Sequence, residues 1–85
     1  MSYILTFANT HEAIFAEKAL LQGGHSVGVM PLPSSIKAGC GIALRVVDYI
    51  ASNALLKESN IVVSAVYQAL ANSQGSLYSE VLFDR

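Results

Sequence analysis

The side chains in this 85-residue chain that are able to do covalent chemistry fall close together. The sole cysteine, Cys40, is bracketed by Gly39 and Gly41, with Lys37 three residues before it and Arg45 five after. Glycine on either side removes bulk around the sulfur and lets the backbone of another molecule approach. A neighbouring cation favours thiolate over thiol and so lowers a pKa that is ordinarily about 8.5. Thiolate is the form that attacks a sulfur or selenium atom. The chemistry expected at Cys40 is therefore nucleophilic attack on sulfur, selenium or a disulfide. A plainer reading stands beside it, because free cysteine is among the most buried residue types and often packs as a small apolar filler.

Other reactive residues are scattered. Glu17 falls near the middle of an otherwise apolar helical face, which leaves two readings open. Its carboxylate reaches water or a backbone donor, or it is a buried partner for a Lys or Arg near the site. His11 and His25 are the only histidines, and neither has a second ligand at metal-binding spacing, so no metal is expected. They read as a first-turn helix residue and a turn residue. A Cys-His nucleophilic pair requires the fold to bring His11 to Cys40. Gly23-Gly24 and Gly39-x-Gly41 lack the pattern of a phosphate-binding loop. No cofactor is expected.

The elements that must position these residues belong to a chain that is 53% hydrophobic and only 13% charged, against about 25% charge in an ordinary globular protein. Disorder is excluded, since it requires low hydrophobicity and high charge. Five Lys and Arg against six Asp and Glu give a net charge of −1. That leaves no cationic surface for nucleic acid and no polybasic membrane anchor. The four Tyr and three Phe are not interleaved with basic residues, so no base-stacking platform is read. No apolar run approaches the roughly 18 residues of a membrane span, and the start of the chain has no signal-peptide pattern. A single cysteine builds no disulfide framework and suits a reducing compartment. The expectation is a cytoplasmic protein, one domain over residues 1–85. So small a chain leaves much apolar surface uncovered, which favours a homo-oligomer.

Tyr3 to Ala8 reads as a strand buried on both faces. Asn9 or Thr10 opens a helix running to about Gln22, with Asn9 and Glu12 spaced as a capping box and Gly23-Gly24 as its stop. Ala13, Ala16 and Leu20 share a face with Ile14 and Leu21 at its edge, all expected to pack on the sheet, while Phe15 points away. Ser26 to Leu32 is a second strand, in which Pro31 and Pro33 stop regular pairing. Residues 33–39 form a loop, and Ile42 to Val47 is a third strand with Ile42, Leu44 and Val46 on one face. Asp48 caps a second helix through about Glu58, expected to present Ala51, Ala54, Leu55 and Ile50 inward. Val62 to Leu70 is the fourth strand and Asn72 to Gly75 a turn. Leu77 to Phe83 is a short fifth strand or an ordered tail. The order β-α-β-β-α-β predicts an α+β, ferredoxin-like split βαβ fold, an antiparallel four-stranded sheet with two helices on one face. The other face is expected to be open and to receive a second subunit.

The stretch from Tyr3 to Val47 resembles a family of selenium/sulfur carrier-like proteins, small single-cysteine domains. The residues that carry the resemblance are Phe7, Asn9-Thr10-His11, Ala13, Ala16-Glu17-Lys18, Pro31-Leu32-Pro33 and Cys40-Gly41-Ile42-Ala43-Leu44-Arg45. The second helix and Val66-Tyr67 continue it. The resemblance implies that Cys40 holds a persulfide or selenosulfide and hands it on, with sulfur or selenium donor and acceptor proteins as partners. The family usually has Arg, then often an acidic residue, directly after the second proline, where this chain has Ser34-Ser35. Lys37 is expected to stand in for that cation. The alternative is a ferredoxin-like interaction or ligand-sensing module that oligomerises through its open face, with Cys40 structural.

Overall fold

In the computed structural model, residues 2–36, 41–72 and 75–81 are described. The elements follow one another as β1 (Ser2–Thr6), α1 (Thr10–Gln22), β2 (Val27–Pro31), β3 (Ile42–Val46), α2 (Tyr49–Glu58), β4 (Ala65–Asn72) and β5 (Gly75–Val81). The five strands form one antiparallel sheet in the order β2-β3-β1-β4-β5. The fold is thus α+β as expected, but the sheet has five strands rather than four. β5 is a full member, paired with β4 from Val66↔Val81 to Asn72↔Gly75. It starts earlier than the Leu77 boundary expected from sequence, and Leu82 and Phe83 lie outside the described residues. β4 begins at Ala65 rather than Val62, after an irregular approach over residues 61–64 in which the Ser64 N–H donates to the Thr6 carbonyl at 2.8 Å.

Both helices end by the same device. Asn9 caps α1, its Oδ1 accepting from the Glu12 N–H at 2.9 Å. At the other end the His25 N–H donates to the Leu20 carbonyl and the Gly24 N–H to Leu21, with Gly24 at φ +81. This is a Schellman stop in which Gly24 takes the left-handed position. Gly23 serves differently, because a Cβ there would come within 2.7 Å of Leu55 Cδ2, where the end of α1 meets α2. Asp48 caps α2 through Ala51 N–H at 3.0 Å. Asn60, at φ 62, repeats the left-handed stop while the Ile61 N–H reaches back to the Leu56 carbonyl.

The inward face of α1 holds Ala13, Ala16 and Leu20, whereas Ile14 and Leu21 are exposed at 49% and 54% rather than packed on the sheet. The inward face of α2 departs further from expectation. Ser52, Asn53 and Leu56 are buried, Ala51 and Leu55 are half-buried, and Ala54 and Ile50 are exposed. Ser52 tolerates burial because its Oγ donates to the Asp48 carbonyl at 2.7 Å, inside its own helix. An apolar pattern on nearly every side of α2 does not set its rotation, and a self-satisfied serine is free to face the core.

Alternation along the strands sends Leu5, Leu44, Val46 and Val66 to the helix side, in one core with Phe7, Ala13, Ala16, Leu20, Leu56 and Val63. The opposite face carries Ile4 and Ala43, both fully buried although no helix lies there. Ile36 covers them. It comes from the turn after β2, is 4% exposed, and donates its N–H to the Pro33 carbonyl. The face expected to be open is therefore partly occupied by the chain's own connection, with Met30, Leu32, Tyr67, Ala69 and Tyr78 packed around it.

Candidate functional site

Cys40, Gly39 and Lys37 lie outside the described residues, so the site is built from what flanks them. On one side is Ile36, seated on the sheet. On the other is Gly41, whose carbonyl accepts from the Leu32 N–H at 3.0 Å. Pairing of β2 with β3 therefore runs past Pro31, where it was expected to stop. The Leu32–Gly41 bond makes Pro31↔Ile42 a non-hydrogen-bonded pair, so the missing proline N–H points away from β3 on an edge strand.

β1 and β3 are antiparallel neighbours, Leu5 opposite Leu44. The end of β1, from which the chain turns into α1, therefore lies at the same end of the sheet as the start of β3 beside Gly41. Asn9, Thr10 and His11 open α1 there. The first N–H groups of a helix carry partial positive charge and favour an anion nearby. The C-terminal end of α2 also comes to this end, since β4 begins level with Thr6. A cleft of about 420 Å³ opens beside it, lined by Asn53, Lys57, Asn60, Ile61, Val62 and Val63. Lys57 brings a cation to this end of the fold that spacing relative to Cys40 did not reveal. It is 17 residues away in sequence, and only the crossover through α2 returns it.

Arg45 is placed otherwise. It is exposed in β3, opposite Gly28 on one side and Ile4 on the other, on the sheet face away from the helices. At about 3.4 Å per strand residue, its Cα is about 14 Å from that of Gly41. Closeness in sequence does not become contact along an extended strand. Glu17 is half-buried in α1, in the helix layer. Glu17 and Arg45 thus sit on opposite sides of the sheet and are not brought together. His11 is exposed and His25 half-buried in the α1 stop. No group of three or more His, Cys, Asp or Glu among the described residues is able to hold a metal ion.

Subtracting structural roles sharpens the set. Phe7, Ala13 and Ala16 are core, and Asn9 is a cap. Pro31 and Leu32 shape the edge. Gly41 has no such explanation among the described residues, none of which a Cβ there would meet within 4 Å. His11 and Arg45 are likewise exposed.

A small α+β domain with two helices on a five-stranded sheet, carrying an unencumbered glycine beside its one cysteine, is a class shared by many functions. The family is decided by comparison: residues 2–68 match the family described as "Putative Se/S carrier protein-like". The chain belongs to that family. The match spans β1 to the first half of β4 and includes Cys40. No curated protein and no solved structure matches the chain. Among the described residues, no helix is long and apolar enough to cross a membrane.

Proposed function

We propose that the protein is a sulfur or selenium carrier in which Cys40 is the acceptor. The observation that carries this reading is the family match over residues 2–68. The Cys40 thiolate attacks the outer sulfur of a donor persulfide, and the S–S bond of the donor breaks as the new one forms. The donor leaves as thiolate and Cys40 keeps the persulfide, with no net oxidation. A donor selenosulfide delivers selenium by the same exchange. The acceptor protein then takes the outer atom and returns Cys40 to thiolate.

Three features support the role. Gly41 puts no side chain next to Cys40 in the chain, and no described residue would pack against a Cβ there. The N-terminus of α1 lies at the same end of the sheet and favours thiolate, as does Lys37, next but two in the chain. Arg45, about 14 Å along β3 from Gly41, is assigned only a long-range electrostatic influence on the site, which salt weakens. Glu17, one layer away, supports the site only through the packing of α1. Thiol chemistry of this kind fits a reducing, cytoplasmic setting. We also read residues 1–85 as one domain, and β1–β4 with the two helices as a ferredoxin-like split βαβ unit extended by β5. The order β2-β3-β1-β4 supports that reading.

The test is mass spectrometry of the intact protein after incubation with a cysteine desulfurase and cysteine. The expected result is a sulfur adduct on Cys40 that reductant removes and that Cys40→Ser lacks. With the donor demonstrably active, an unmodified Cys40 overturns carriage of sulfur. A thiol that iodoacetamide reaches only in denatured protein returns Cys40 to a structural role and favours the interaction-module reading.

A further inference from the structure

The helix-free face of the sheet carries a charge pattern that is complementary to itself. One row of residues crosses all five strands there: Gly28, Arg45, Ile4, Tyr67 and Glu80. Its only charges are Arg45 and Glu80, both exposed, in a chain with eleven Lys, Arg, Asp and Glu residues altogether. Three strand spacings separate them, about 14 Å, with the midpoint of the row between Ile4 and Tyr67. In the next row, Ala69 of β4 pairs with Tyr78 of β5. Val47, one residue beyond β3, continues its alternation onto the same side and is 67% exposed.

We propose that this face is the interface of a homodimer, with a second copy of the chain packed sheet to sheet about a twofold axis running along the strands between β1 and β4. That rotation exchanges the β3 and β5 sides. It sets Arg45 of each copy over Glu80 of the other, and brings Val47 against Tyr78. The turn carrying Ile36 covers the β1 and β3 half of its own sheet. The same rotation places that turn over the β4 and β5 half of the partner, beside half-buried Tyr67, Ala69 and Tyr78. Half-buried Met30, Leu32, Tyr67, Ala69 and Tyr78 provide the apolar contact, and the two charge pairs fix the register. An isologous contact of this kind closes at two copies. This interface is independent of sulfur carriage, so either idea stands if the other fails.

Size-exclusion chromatography with light scattering on the full chain tests it, with circular dichroism confirming that each variant is folded. The wild type is expected at twice the 9.0 kDa chain mass. Arg45→Glu and Glu80→Arg, each placing like charges face to face twice, are expected to weaken the dimer by about 100-fold or more. The double variant restores opposite charges and is expected to recover the dimer. Arg45→Gln and Glu80→Gln give smaller losses. A monomeric wild type at high concentration overturns the proposal. So do single reversals that leave the dimer intact, or a double reversal that fails to rescue it.

Discussion

Gly41 and Ile36 flank the cysteine-bearing stretch, and their substitutions should separate function from stability. A Cβ at position 41 meets no described residue within 4 Å, so Gly41→Ala is expected to leave stability unchanged or raise it by up to about 1 kcal/mol. Transfer of sulfur to a protein acceptor should nevertheless slow by about tenfold or more if close approach at this position matters. Single-turnover transfer beside a denaturant melt checks both halves. Ile36→Ala has the opposite profile. It opens a cavity over Ile4 and Ala43 and is expected to cost about 2–5 kcal/mol, read as a lower urea midpoint. An isoleucine between Ser35 and Lys37 in a short polar connection looks like an exposed loop residue from sequence. Burial arises because the turn at Pro33 folds it back onto a sheet face whose other residues come from β1 and β3. The separation of Arg45 from Gly41 was not legible, because an extended strand carries neighbours apart.

At the scale of elements, helix limits were read correctly to within a residue, and helix faces were not. Asn9, Asp48, Gly24 and Asn60 act through hydrogen bonds or dihedrals closed within about one turn, so their meaning is local. Gly24→Ala is expected to cost about 1–2 kcal/mol through the left-handed backbone alone, since a Cβ there has free space. Asn60→Gly should be neutral or slightly stabilising at the equivalent position of α2. Thermal melts of the two variants compare them directly, and a stabilised Gly24→Ala would refute the assignment. The rotation of α2 followed instead from where α1 and the sheet lie. Leu55 turns toward Gly23 of α1, and Ser52 and Asn53 occupy the inward side that alanines were expected to hold.

Across the whole molecule, β1 is central, paired with β3 on one side and β4 on the other, while β2 and β5 form the edges. Native-state hydrogen exchange is expected to show β1 amides most protected and those of β2 least, with β5 gaining protection only in proportion to the full ladder it makes with β4. Exchange of β1 as fast as the edges would contradict the strand order. The family match ends at residue 68, so β5 and the outer half of β4 extend the sheet beyond the matched portion. β5 also supplies Glu80 and Tyr78 to the face proposed to bind a second copy.

By itself the sequence determined the family, the α+β class and the helix limits, and it holds the single cysteine on which the proposed sulfur chemistry rests. Those depend on residue type and on bonds made within a few positions. Tertiary structure alone decided that a fifth strand completes the sheet and that Ile36 covers part of the face expected to be open. It also decided that Arg45 and Glu80 share one row on the helix-free face. Each of these depends on which strands become neighbours. Pairing between strands tens of residues apart is set by the packing of the whole chain, which no local pattern encodes.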